Sequence, residues 1–282
     1  MNVQTNQDLR IERRGAALWL TIDREDRRNA ITSGVLEGIA QGIEEAQRDE
    51  TLRAIVLTGS GTKAFCAGAD LQDGRMFELD PSRPHHALAQ LLRKARQCPV
   101  PLVARVNGAC VAGGMALLAM CDLAVAAEHA VFGLPEVKIG VFPAQVLAMI
   151  QHQLPRRVLA RLCLTGQPVA AAQALAVGLV NDVSGDVDGA LSVLLNELFN
   201  ASPAALRRGL YAMKSIEAMS FEESMSFTES QIALFAATAD AKEGQAAFRE
   251  KRKPIWAVAA KSAIWLSVKL IDSSNDMASI DF

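Results

Sequence analysis

Little in this 282-residue chain suits a membrane, a nucleic acid or a metal ion. No apolar run reaches the roughly 18 to 20 uncharged residues that a bilayer span requires. A formal net charge of −2 offers no basic surface to a phosphate backbone. The four histidines lack zinc-ligand spacing, and no Gly-x-Ser-x-Gly elbow occurs, so metal and serine-nucleophile mechanisms both lose ground. The cysteines, at 66, 98, 110, 121 and 163, are odd in number and lie mostly in apolar segments. Reduced, buried thiols are expected rather than a disulfide framework. The opening MNVQTNQDLR has no apolar signal core, which makes the cytoplasm the expected compartment. No repeat or low-complexity linker divides the chain.

What is present is enough apolar residue, half of the total, for a sizeable core in one large domain or one plus a small appendage. Ala17 to Ile22 and Arg53 to Thr58 read as strands. Between them Ser33 to Arg48 reads as a helix, with Val35, Leu36, Ile39, Ile43 and Ala46 on one face. Val100 to Val106 reads as another buried strand, and Leu123 to Ala127 as a further short apolar run. This alternation predicts α/β layering. From Ala170 onward the pattern is almost wholly helical, over 170–176, 187–200, 202–219, 221–237 and 239–252.

Three glycine-bearing segments compete for chemistry. Thr58-Gly59-Ser60-Gly61-Thr62-Lys63 has the wrong spacing for a phosphate loop and lacks the third glycine of a dinucleotide fingerprint, so it reads as a surface turn. Ala64-Phe65-Cys66-Ala67-Gly68-Ala69-Asp70-Leu71 puts small residues after a strand, where a ligand or another backbone can approach closely. Asn107 to Leu117 contains Gly113-Gly114 at the head of an apolar helix, leaving N–H groups uncovered for a negative oxygen. Glu136, in Phe132-Gly133-Leu134-Pro135-Glu136, then supplies a single carboxylate able to move a proton. Two N–H donors converging on one carbonyl oxygen would form an oxyanion hole, each donor contributing roughly 3 to 4 kcal/mol. With one carboxylate beside it, the constellation points to carbanion or enolate chemistry. Bare spacing does not establish that the donors converge.

Taken together, Ala64–Leu71, Asn107–Asp122, Phe132–Pro143, the Leu164-Thr165-Gly166 to Val180 stretch and Asp240–Pro254 resemble the crotonase superfamily, the enoyl-CoA hydratase/isomerase family, in order over residues 8 to 256. The resemblance implies a spiral of ββα units over residues 1–200. A helical trimerisation region over 201–256 would follow, then an extension of unknown role over 257–282. It further implies a homotrimer or dimer of trimers, with no cofactor beyond the coenzyme A carried in the thioester substrate. Position by position, Ala69 and Gly113 would supply the oxyanion N–H groups. Coenzyme A would be met around Arg28, Ala30, Ala67, Asp70 and Leu71, and its phosphates by basic residues near Lys251. Glu136 would be the acid/base.

The departures narrow the chemistry. Two-carboxylate hydratases of this family carry glutamate where this chain has Ala116, and the glycine that commonly follows the proline of the Gly-x-x-Pro piece is Ala144. Hydration is easiest when two carboxylates handle one water. A lone carboxylate suits removing a proton at one carbon and returning it at another, so double-bond isomerisation stands slightly ahead of hydration. Decarboxylation or thioester hydrolysis, with the oxyanion hole predominant, and a non-catalytic acyl-CoA-binding protein are the alternatives. Asp122 is expected to be structural.

Overall fold

The computed structural model describes residues 3–5, 7–70, 82 and 85–257. Leu71 and nearly all of the 257–282 extension lie outside them. The chain opens with β1 (Val3–Thr5), β2 (Leu9–Arg14) and β3 (Ala17–Ile22), an antiparallel run. Helix α1 (Ser33–Arg48) follows, buried along the anticipated face. Thr32 caps it, its Oγ1 accepting from Val35 N–H at 3.2 Å, which satisfies one of the donors a helix start leaves open. The helix lies so close on the sheet that a Cβ at Gly42 would come within 2.7 Å of Leu20.

A repeating turn then builds two sheets at once. Strand β4 (Ala54–Gly59) enters the first sheet and β5 (Ala64–Cys66) the second, followed by α2 (Ala87–Arg96). The pattern recurs with β6 (Leu102–Val106), β7 (Ala109–Val111) and α3 (Gly113–Ala119), and again with β8 (Leu123–Ala127) and β9 (Val131–Gly133). Helices α4 (Ala144–Ile150) and α5 (Arg156–Thr165) precede β10 (Val169–Ala170), α6 (Ala171–Ala176) and β11 (Asp182–Ser184). The first sheet runs β1-β2-β3-β4-β6-β8-β11, parallel from β3 onward; the second runs β10-β9-β7-β5. This is the expected α/β spiral of ββα units. Every residue of β4 is buried, as a parallel strand covered on both faces must be.

Helices α7 (Val187–Asn200), α8 (Pro203–Ile216), α9 (Phe221–Ala236) and α10 (Ala239–Glu250) complete the fold. Within the largely helical region after Ala170, β11 pairs parallel with β8, Asp182 opposite Val125. Three residues are too few to show a period, which is why pattern alone passes over them. Leu191 and Leu195 are buried against Ala17, Ala54, Val56 and Val103 on the outer sheet face, with Leu194 and Leu198 packed alongside. The cysteines are all free. Cys66, Cys98, Cys110 and Cys163 are buried and Cys121 is partly so. Burial pushes the Cys66 thiol up to about 12, which keeps it protonated. Among the described residues no helix is long and apolar enough to cross a membrane.

Candidate active site

Three neighbouring parallel strands, β5, β7 and β9, deliver the three chemical segments from their carboxyl ends. Ala67-Gly68-Ala69 leaves β5, Ala112-Gly113 leaves β7, and Leu134-Pro135-Glu136 leaves β9. The carboxyl ends of parallel strands are where such sheets place ligands, since the following turns open there. The register locks β7 to β9, and Ala112 N–H donates to the Gly133 carbonyl at 2.9 Å.

The two small-residue turns do meet. A Cβ on Gly68 would lie 2.7 Å from the Ala112 Cβ and 3.2 Å from Gly113 N, and one on Gly113 would lie 3.7 Å from Ala69 N. Gly68 has φ +92°, a region that glycine enters without steric cost. Ala112, with φ 51° and ψ −126°, is held in a conformation rare for a residue with a Cβ. It turns the chain so that Gly113 begins α3. Strain of this kind persists only where the surroundings over-determine it. Gly114 has no room for a side chain, since a Cβ would fall 2.3 Å from the Cys66 carbonyl oxygen. Among the described residues, neither Ala69 N–H nor Gly113 N–H donates to a protein acceptor, while Asp70 N–H and Met115 N–H are both engaged.

Glu136 sits in a short 3-10 turn, Pro135–Ile139, packed on α5. Its Oε2 is buried with no hydrogen-bond partner among the described residues. Burial raises its carboxyl above the usual 4.5, partly offset by its own backbone N–H. Its charge in turn helps to raise the neighbouring Cys163 thiol, after burial itself. A lone, half-desolvated carboxylate is a base held at higher energy than in water. The position one turn into α3 offers it no second acid, because Ala116 is fully buried and ends in a methyl. Ala144 opens α4 at the surface. Asp122 has a structural task, its Oδ2 accepting from Leu102 N–H at 2.8 Å and its Oδ1 from Lys214 Nζ at 2.9 Å.

Of the residues assigned to coenzyme A, four are brought together. Ala67 N–H donates to the Arg28 carbonyl at 3.1 Å, the Ala30 carbonyl accepts from Arg24 Nη1 at 2.8 Å, and Asp70 Oδ2 accepts from Arg24 Nη2 at 2.8 Å. Arg28 itself is exposed, with a left-handed backbone. Lys251 is not joined to this group. It ends α10, which packs on α8 and α9, and it is exposed.

The sequence reading missed the residues that hold these loops. Asn29 Nδ2 donates to the Ser60 and Ala64 carbonyls at 3.0 and 2.7 Å, and Asn107 Nδ2 donates to the Gly61 and Ala64 carbonyls at 2.8 and 3.1 Å. Of the Thr58–Lys63 segment, Thr58 and Gly59 end β4, and the bend that follows from Ser60 is pinned by two buried amides. Asparagine beside Gly108 reads as turn chemistry, which hid its long-range role.

Residues 12–259 match the family model described as enoyl-CoA hydratase/isomerase. An enoyl-CoA hydratase of Mycobacterium tuberculosis is 34% identical over 262 residues, covering 89% of this chain and 97% of that protein. A 2,3-dehydroadipyl-CoA hydratase of Escherichia coli is 31% identical over 252 residues, covering 88% and 97%. The crystal structure of an enoyl-CoA hydratase from Mycobacterium smegmatis superposes with a TM-score of 0.82 at 29% identity, covering 89% of this chain and 99% of that one. The chain belongs to the enoyl-CoA hydratase/isomerase family of the crotonase superfamily, and it is an enzyme of that family.

Proposed function

We propose that the enzyme moves the double bond of an enoyl-CoA, with Glu136 as its only acid/base and the Ala69 and Gly113 N–H groups holding the thioester oxygen. One observation carries the reading: among the described residues, a buried Glu136 oxygen without a partner shares a set of adjacent strand ends with two N–H groups that have no acceptor. In this reading the carboxylate takes a proton from C2 of a 3-enoyl thioester. The charge passes to the thioester oxygen, where the two fixed donors stabilise it more than they stabilise the neutral carbonyl. Glu136 then returns the proton at C4, and the 2-enoyl product leaves. The step needs no cofactor, since coenzyme A enters and leaves as part of the substrate. Arg28, Ala30, Ala67, Asp70 and Leu71 would meet the coenzyme, with Lys251 reaching the phosphates from a neighbouring subunit of a trimer or dimer of trimers. The cytoplasm is the compartment that fits.

Hydration of 2-enoyl-CoA is the second reading, favoured by the names of the relatives and disfavoured by Ala116, which removes the second carboxylate. Turnover of matched 2-enoyl-, 3-enoyl- and malonyl-type CoA esters separates the cases. Isomerisation faster than hydration is expected. Hydration as the faster reaction would favour the second reading. Turnover of the malonyl ester alone would replace both with decarboxylation.

A further inference from the structure

Arg24 lies outside every glycine-bearing segment, yet its guanidinium joins three separate parts of the chain. Nε meets Asp8 Oδ1 at 3.0 Å, Nη1 donates to the Ala30 carbonyl at 2.8 Å, and Nη2 donates to Asp70 Oδ2 at 2.8 Å. Its side chain is only 16% exposed and that of Asp70 only 13%. Asp8 also accepts from Thr32 Oγ1 at 2.6 Å, which ties the cluster to the start of α1. Between Ala30 and Asp70 the backbone closes a short ladder, with Ile31 N–H donating to the Gly68 carbonyl at 2.7 Å and Asp70 N–H to the Ile31 carbonyl at 3.0 Å. Both neighbours of Ala69 are therefore clamped to Ile31, and Ala69 N–H is the group left over.

We infer that Arg24 is the positioning residue that fixes the direction of the Ala69 N–H, acting through Asp70 and the Ala30 carbonyl. The inference rests on the oxyanion role given to Ala69 above. A planar guanidinium with donors in a fixed fork can hold both sides of the ladder at a set separation; a lysine ammonium is one point charge and cannot. An oxyanion hole works only while its donors stay preorganised, and a displacement of about 1 Å can cost on the order of 100-fold in rate.

The test compares the full-length parent with Arg24→Lys and Arg24→Gln. But-2-enoyl-CoA and its thioether analogue, which lacks the carbonyl, are the probes. The readouts are the carbonyl stretch of the bound ester by Raman difference spectroscopy, thioether affinity, kcat and KM on the best substrate, and thermal midpoint. Both variants are expected to return the carbonyl band toward its free position and to lower kcat by about 10- to 100-fold. KM and thioether affinity should stay within about threefold, as a loss confined to the oxyanion hole requires. An unchanged band, or equal losses of ester and thioether binding, overturns the role, and so does failure of both variants to fold. A parent that shifts no band at all refutes the oxyanion reading of Ala69 instead, so the two failures are distinguishable.

Discussion

Glu136 concentrates the consequences at the scale of single residues. Glu136→Gln keeps the shape and loses the base, so turnover of every accepted substrate is expected to fall by about 10² to 10⁴ with CoA-ester affinity nearly intact. Wild-type turnover in that variant would remove Glu136 from the mechanism. The pH dependence follows from the same group. Burial lifts its carboxyl above 4.5, so the acid limb of kcat/KM should lie above that value. A raised carboxyl binds its proton more tightly folded than unfolded. Its contribution to stability is full below the unfolded value and is lost as pH rises through the folded one. Thermal melts of Glu136→Gln should therefore exceed the parent near neutrality and converge with it below about pH 4. A parent more stable than the variant at neutral pH would mean that the carboxylate has a partner in solution. The sequence exposed this residue because Glu136 lies in the Phe132–Pro143 segment that resembles the family motif. It hid Arg24 and the two asparagines, whose partners are distant in the chain and leave no local period.

Elements were legible in proportion to their length. The face of α1 was readable because 16 residues carry several turns of the helical period. Strands β5, β7, β9 and β11 have three residues each, too few for an alternation to register. That the turns of β5 and β7 converge depends on pairing between strands some forty residues apart, and no local pattern encodes it. One long-range contact at this scale is testable. Arg53, just before β4, donates to the Leu198 and Ala201 carbonyls at 3.1 and 2.6 Å, satisfying the acceptors that the end of α7 leaves open. Arg53→Met is expected to cost about 2 kcal/mol, from the loss of charge-assisted hydrogen bonds, and to leave kcat unchanged. Urea unfolding measures the first and steady-state kinetics the second. A variant as stable as the parent would show that water serves these carbonyls equally well.

At the scale of the whole molecule, helix α8 makes polar contacts with the spiral while large apolar side chains on α8, α9 and α10 are exposed. Lys214 on α8 reaches Asp122, and Arg207 donates to the Leu52 carbonyl at 3.0 Å. Meanwhile Met213 is 67% exposed, Phe221 74%, Ile232 66% and Phe248 86%. Exposed apolar side chains on three consecutive helices suit an interaction surface. Sedimentation velocity at micromolar concentration is expected to report an assembly of three chains or a multiple of three. A stable monomer would leave these side chains without a purpose.

The pairing of β11 with β8 also bears on synthesis. Until Asp182–Ser184 has left the ribosome, β8 ends the growing sheet with an open row of N–H and C=O groups, a template for any passing chain. At about 5 to 20 residues per second, the stretch between Ala127 and Asp182 keeps that edge bare for roughly 3 to 11 s. Nascent chains arrested before Asp182 emerges should be held by chaperones or aggregate, and chains arrested after α7 has emerged should be released.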